Sequence, residues 1–234
     1  LYALIVLAWA LLRLAETLKP EYRVPFNPSA IIKTYASILR ERQTVGYMIA
    51  STFITAGLFG YITSSEQLFV DVYHLGPAFP IAFGSVAIAI SIGNFLNSRL
   101  VIRQGMRRLS HSMTILFTLL GALIAALAFT GALSFWLFTA LLSVTFGAFG
   151  MIASNYSALA MEPVGRVAGS GSALFGAVTA SGGALLGAVI GRAFDGTAAP
   201  FAAGLATIGV LALVSVWITE RGKLFGPKPA PIAG

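Results

Sequence analysis

Cysteine is absent from this chain, and histidine and acidic residues are scarce. Without a thiol the chain can form no disulfide, no thiolate nucleophile and no cysteine-ligated metal site. His74 and His111 are the only imidazoles, too few for a histidine-rich metal centre. The positions of the carboxylates, serines and histidines in the sequence do not bring them together as a catalytic group. We therefore expect a protein that is not an enzyme, with no catalytic residue, no metal site and no cofactor.

Charge is also sparse: 10% of the residues are charged, while 57% are hydrophobic. Six segments each have about the 20 mainly apolar residues that a membrane crossing needs. Backbone groups in lipid must be satisfied within the segment, which favours helices, and the alternating pattern of a membrane β-barrel is missing. The sequence predicts an all-α membrane protein, a six-transmembrane-helix bundle within 45–219, with spans at roughly 45–69, 80–100, 109–130, 134–160, 167–192 and 200–219.

The basic residues are distributed unevenly between these segments. Fourteen of the fifteen Lys and Arg residues fall in alternate gaps, and the other gaps contain only Arg192. Positive loops stay on the cytoplasmic side, so the pattern predicts a multi-pass membrane protein with a cytoplasmic C-terminus. We attribute the net charge of +7 to contact with lipid headgroups of the bilayer and expect no nucleic-acid partner. Arg192 lies three residues before Asp195 and can pair with it in the outer loop.

The remaining parts of the chain are assigned around this bundle. Residues 1–12 would cover about 18 Å as a helix, too short for a crossing, and are interpreted as the remnant of a transmembrane helix. Residues 13–44 are predicted to be a cytoplasmic central loop. Its second half, from Ser29, has the spacing of an amphipathic helix, either on the membrane surface or as a soluble linker. Residues 220–234 are predicted to be a cytoplasmic tail.

Polar and aromatic side chains recur at helical spacing inside three of the spans. Intramembrane polar groups usually face the bundle interior or a water-filled cavity. A mostly apolar cavity with a few hydrogen-bonding groups is typical of a small-molecule site. The alternative is that these groups only form hydrogen bonds between helices. The candidate substrate-binding residues are Thr55, Phe59, Ser91, Asn94, Phe149 and Asn155.

A third pattern lies in the fifth span, where Gly183, Gly187 and Gly191 recur every four residues. Such glycines share one face of a helix and allow a neighbouring helix backbone to approach closely. We therefore predict that this face packs tightly against another helix.

Three stretches resemble a known family. The run AETL at 15–18, followed by the prolines of 20–28, looks like the central loop of Bcr/CflA-type drug-resistance transporters of the major facilitator superfamily. SRLVIRQGMRR at 98–108 resembles the superfamily motif G-x-x-x-D-[RK]-x-G-x-[RK]-[RK], with Ser98 and Ile102 in place of its Gly and Asp. ALAMEPVGRVAGSGSALFGA at 158–177 is similar to the stretch between the tenth and eleventh helices of that family.

The resemblance implies the C-terminal half of such a fold, from the end of helix six to helix twelve. It implies a multidrug efflux antiporter of the bacterial inner membrane that exchanges drugs for protons by alternating access, with the missing N-terminal six-helix half as partner. A metabolite or nucleoside carrier, and a non-transporting scaffold or half-transporter, are the alternatives. The residues expected in the loop motif and gate are Arg99, Arg103, Gly105, Arg107 and Arg108.

Overall fold

The computed structural model describes residues 2–13 and 28–226. Every regular element within them is helical, which confirms the all-α fold class. The chain divides into two compact units, 1–33 and 34–234. The first contains the apolar helix α1, Tyr2–Arg13, and the beginning of α2, Pro28–Arg40. The AETL run, the prolines at 20 and 25 and the end of the tail lie outside the described residues.

The second unit contains six long helices whose positions follow the apolar segments of the sequence. Most are joined by short turns, among them a π-helical turn Gln67–Val72 after the first of the six and a 3-10 turn Gly76–Ala78 before the second. The helices are α3 Arg42–Glu66, α4 Phe79–Gln104, α5 Met106–Phe129, α6 Phe135–Met161, α7 Ala168–Arg192 and α8 Ala199–Thr219.

Five helical stretches of the described chain are long and apolar enough to cross a membrane. The longest, Phe135–Arg192, has 58 residues and comprises α6, a 3-10 turn Glu162–Val167 and α7. A straight helix of that length would extend roughly 87 Å, about three times the hydrocarbon thickness of a bilayer. Its path is broken at Val164, which has φ −108° and ψ 21°. Helices α6 and α7 are therefore two separate helices.

The helices are not equally buried. α3, α6, α5 and α8 pack in a ring, while α4 packs mainly on α6 and α7 mainly on α3. Half of the most apolar part of α3 is buried, against 17% for α4. The inner helices contribute the large buried side chains, and the two flanking helices leave much of their apolar surface exposed.

Glycine allows both flanking helices to approach their neighbours. A Cβ atom added to Gly187 of α7 would lie 2.6 Å from Cβ of Phe59 and 2.7 Å from N of Gly60, both on α3. On the other flank, Gly93 of α4 lies directly against the backbone of Gly147 of α6. In lipid, no hydrophobic driving force holds helices together. Close van der Waals contacts of this kind stabilise the helix pairs instead.

Aromatic rings fill the end of the bundle where α3 ends and where α4, α6 and α8 begin; we call this the aromatic end. Phe138 lies at its centre, with ring centroids of Phe69, Tyr73 and Phe201 at 5.9, 5.3 and 6.3 Å. Tyr73 donates a hydrogen bond to the Leu133 carbonyl oxygen at 3.1 Å. Burial raises the pKa of Tyr73 to about 12, so its hydroxyl stays protonated as a donor.

Candidate functional site

At the opposite end of the bundle, ion pairs connect the helices, and the central residue is Arg107 in the first turn of α5. Arg107 Nη2 donates to Glu162 Oε2 at 2.8 Å, and Arg107 Nε donates to Glu220 Oε1 at 3.2 Å. Glu162 begins the turn after α6, and Glu220 directly follows α8. A single guanidinium therefore links α5 to the ends of two other helices, using the forked geometry that suits arginine to two acceptors.

Helix α3 joins the same group through its first turns. Gln43 Nε2 donates to Glu162 Oε2 at 2.8 Å and to the Leu159 carbonyl oxygen at 2.7 Å. Tyr47 donates its hydroxyl hydrogen to Glu220 Oε1 at 2.7 Å. Each of the two carboxylates thus accepts one bond from Arg107 and one from α3.

His111, one turn after Arg107 on α5, extends the network to the segment that follows α8. The backbone N–H of Phe225 lies 3.1 Å from His111 Nδ1, and because an N–H can only donate, Nδ1 is the acceptor. The neutral ring then carries its proton on Nε2, which donates to the Tyr47 hydroxyl oxygen at 2.9 Å. We call Gln43, Tyr47, Arg107, His111, Glu162 and Glu220 the Arg107 cluster.

The Arg107 cluster is partly withdrawn from solvent. The Arg107 and Glu220 side chains are 14% and 16% exposed, and Glu162 is 27% exposed. At this degree of burial, removing one partner leaves the other charges poorly solvated and unpaired. The cluster therefore makes the relative positions of α3, α5, α6 and α8 depend on specific charges.

Sequence reasoning missed both acids of the cluster. The loop motif has Ile102 where its acid is expected, yet the structure brings to Arg107 two carboxylates that lie 55 and 113 residues after it in the chain. The signal in the sequence that could have identified these two acids is their position relative to the apolar spans. Glu162 and Glu220 directly follow the fourth and sixth apolar spans, on the side where the basic residues concentrate.

The other predicted loop residues have different surroundings. Arg99, Arg103 and Arg108 are exposed, and within the described residues the salt bridges all involve Arg107. Gly105 separates α4 from α5 with φ +82°, a backbone conformation that side chains with a Cβ rarely adopt.

The pairing that Arg192 could form with Asp195 does not occur among the described residues. Asp195 Oδ1 instead accepts from the backbone N–H of Thr197 at 3.0 Å and from its hydroxyl at 2.7 Å. In a local turn of this kind the carboxylate accepts hydrogen bonds from the residue two positions further on, so it is satisfied without an arginine.

Two of the predicted substrate-binding residues lie where α3 meets α7. Thr55 and Phe59 are half-buried. A Cβ atom added to Gly183 would lie 2.8 Å from Thr55 Cγ2, and one added to Gly191 would lie 2.8 Å from Thr63 Oγ1. Together with the contact between Gly187 and Phe59, all three glycines of the four-residue repeat face α3.

Asn94 and Asn155 lie where α4 meets α6. Asn94 is exposed, and its Oδ1 accepts from the Ser154 hydroxyl at 3.3 Å. Asn155 is buried and donates from Nδ2 to Asn97 Oδ1 at 2.6 Å. Asn97 and Ser154 were not predicted, although Asn97 follows Asn94 by three residues and so neighbours it on the helix surface.

The structure does not bring all six candidates together. Phe149 is buried beside Phe146, with ring centroids 6.1 Å apart. Ser91 is exposed on α4 and donates its hydroxyl hydrogen to the Ala87 carbonyl oxygen of its own helix at 3.0 Å. Asn94 and Asn155 share one helix pair, Thr55 and Phe59 share another, and Ser91 has no side-chain hydrogen bond to another helix in the described chain.

Comparison with known proteins identifies the chain's relatives. The model of the Major Facilitator Superfamily matches residues 1–188. The uncharacterized MFS-type transporter YdgK of Bacillus subtilis strain 168 is 31% identical over 219 residues, covering 91% of this chain and 53% of that protein. The bicyclomycin resistance protein homolog of Haemophilus influenzae strain Rd is 27% identical over 217 residues, covering 92% of this chain and 54% of that protein.

The chain thus spans about half the length of the curated relatives it matches. No solved structure gives a significant match. The family and the name of the Bacillus relative describe transport, which confirms the expectation of a protein that is not an enzyme. The resemblance predicted from the loop motif is confirmed as well, because the family model matches more than half of the residues: the chain belongs to the Major Facilitator Superfamily.

Proposed function

We propose that the gene product containing this chain is a secondary transporter that exports drugs or other small molecules in exchange for protons. The observation that carries the proposal is the match to a bicyclomycin resistance protein homolog across 92% of the chain, within a superfamily of transporters. The chain would supply one of two six-helix bundles that tilt against each other, because it spans about half of each relative. The basic residues support an inner-membrane protein with the Arg107 cluster on the cytoplasmic side.

We assign the substrate-facing wall to those predicted substrate-binding residues whose side chains are exposed. Ser91 and Asn94 lie one turn apart on α4, and both are exposed. They can present a hydroxyl and an amide to a ligand. Thr55 and Phe59 are half-buried and would border this wall, whereas Phe149 and Asn155 are buried and would support it from behind. The wall is largely apolar, which suits drugs with large apolar surfaces and few hydrogen-bonding groups.

We assign the closed state of the cytoplasmic gate to the end of the bundle that carries the Arg107 cluster. Arg107 would hold this end together through Glu162 and Glu220, while Gly105 sets the turn between α4 and α5. Arg99, Arg103 and Arg108 remain free of salt bridges within the described residues and would hold the loop at the membrane surface. Gly183, Gly187 and Gly191 would keep α7 on α3 as the bundle tilts.

The proposal is tested by expressing the full gene product in a bacterial strain that lacks its own drug exporters. We expect raised resistance to several unrelated compounds and a loss of that resistance when the proton gradient is collapsed. Unchanged resistance together with altered uptake of a metabolite or nucleoside would contradict drug export and support the carrier alternative.

Ser91→Ala and Asn94→Ala test the wall itself. Each is expected to change resistance to some compounds more than to others by about tenfold, the size expected when a hydrogen bond to a ligand is lost. Ser215→Ala is the matched control, because its hydroxyl also donates to the carbonyl four residues earlier, at 2.8 Å, but on α8. A resistance profile identical to that of the control would remove Ser91 and Asn94 from the site.

A further inference from the structure

An apolar groove of about 320 Å³ lies between α4, α5 and α6, and neither Ser91 nor Asn94 lines it. Its walls include Ala89, Ile92 and Leu96 of α4, Met113 and Leu116 of α5, and Val144 of α6. Ile92, Leu96 and Val144 are 53%, 41% and 53% exposed, so the groove is open along its length.

The groove exists because α4 contacts α6 more closely than it contacts α5. Gly93 lies against the backbone of Gly147, which brings α4 onto α6 and leaves a space beside α5. Both glycines line the groove. The space is therefore a product of the helix packing and does not depend on the rotamer of one side chain.

Two exposed arginines continue the groove toward the charged end of the bundle. Arg103 follows Leu96 by seven residues, about two helical turns, and so lies on the same stripe of α4. Arg99 lies between them, one turn from Leu96, and its guanidinium carbon is 5.6 Å from the centroid of the Phe95 ring. Both side chains are exposed, and in the described chain neither forms a salt bridge.

The depths of the groove and of the arginines match one leaflet of a bilayer. Ala89 and Arg99 are separated by roughly 15 Å along an ideal helix, which is about half of the hydrocarbon thickness. If Arg99 lies at the level of the headgroups, the groove extends through the acyl-chain region of the same leaflet. An apolar groove that ends at two guanidinium groups, neither of which has a salt bridge to the described residues, matches the acyl chain and the phosphate of a phospholipid.

We propose that this groove is a binding site for an anionic phospholipid, with an acyl chain between α4, α5 and α6 and the phosphate at Arg99 and Arg103. Guanidinium groups form charge-assisted, forked hydrogen bonds with phosphate. The additional negative charge of an anionic headgroup distinguishes it from a zwitterionic one. The site needs no transport activity and does not rest on the proposed export function.

The occupied site would act on the loop that carries the Arg107 cluster. Arg103 and Arg107 are four residues apart across the turn at Gly105. A lipid phosphate held at Arg103 would therefore fix one side of this turn, while Glu162 and Glu220 fix the other.

Native mass spectrometry of the full gene product in detergent, titrated with phosphatidylglycerol and separately with phosphatidylcholine, tests the site. We expect tighter binding of phosphatidylglycerol, and a fall in its affinity of about fivefold for each arginine removed in Arg99→Gln and Arg103→Gln. Arg166→Gln is the matched control, since it removes an exposed arginine near the same end of the bundle, beyond α6. The control should retain the affinity of the unchanged protein.

A second pair of variants tests the groove. Ala89→Phe places a ring in the groove and should weaken phosphatidylglycerol binding, while Ala87→Phe adds the same ring to the exposed side of α4 outside it. Equal affinity for the two lipids would overturn the proposal. So would an unchanged affinity for phosphatidylglycerol in the variant that carries both Arg99→Gln and Arg103→Gln. If Ala89→Phe binds as the unchanged protein does, the acyl chain does not occupy the groove and the assignment fails.

Discussion

The two ends of the bundle are held together by different interactions. At the aromatic end, Phe138 contacts three rings from two other segments, the turn after α3 and helix α8, and these contacts involve no charge. At the charged end, Arg107 contacts two carboxylates that α3 also binds. Aromatic packing depends on contact area and tolerates small shifts, whereas charge-assisted hydrogen bonds require fixed partners and weaken steeply when the geometry changes. Under the alternating-access mechanism that we propose, the charged end is therefore the better candidate for the end that opens and closes.

The strongest test of this difference is Arg107→Ala. We expect it to lower the free energy of unfolding by about 3 kcal/mol, because it leaves two partly buried carboxylates without their cation. Thermal unfolding of the full gene product in detergent measures the effect. Arg108→Ala, the exposed neighbour in the same turn, should change stability by less than about 0.5 kcal/mol.

A combined variant separates the cost of unpaired charge from the loss of packing. Adding Glu162→Gln and Glu220→Gln to Arg107→Ala removes the unpaired charges and should recover a large part of the lost stability. If the triple variant is less stable than Arg107→Ala alone, the two carboxylates stabilise the bundle by other contacts and the charge argument is incorrect.

At the aromatic end the corresponding change is Phe138→Ala. The unfolded helices stay in an apolar solvent, so only the cavity left behind contributes, and we expect a loss of about 2 kcal/mol in thermal unfolding. Phe129→Ala is the control, because Phe129 ends α5 near the same end of the bundle and is 69% exposed. A loss as large for Phe129 as for Phe138 would show that the ring cluster has no special role.

The smallest effect is expected for His111→Phe, which keeps a ring but removes both nitrogens. The Phe225 N–H loses its acceptor, and the loss of about 1 kcal/mol should raise the rate of hydrogen exchange at that amide roughly fivefold. His111→Gln offers an amide oxygen as a replacement acceptor and should restore part of the protection. Identical exchange in all three proteins would show that His111 does not hold the segment after α8.

The fold was largely predictable, and the site was predictable only in part. The lengths of the apolar segments alone predicted the positions of the six long helices, because a backbone in lipid must satisfy its hydrogen bonds within the segment, as a helix does. The four-residue glycine repeat also indicated a contact face, since its spacing is a property of one helix. By contrast, Asn94 and Thr55 satisfy the same local criteria yet lie at different helix pairs, because spacing within a helix does not specify which neighbour each face meets.

The sequence by itself determined that the chain is helical, that it belongs in a membrane and which superfamily it resembles. These properties follow from hydrophobic runs, charge distribution and a local loop motif. Only the tertiary structure decided that Arg107 pairs with Glu162 and Glu220, that His111 accepts from Phe225, and that α4 leaves a groove beside α5. The physical reason is that these contacts join residues far apart in the chain, and only the packing of helices against one another brings such residues within reach of each other.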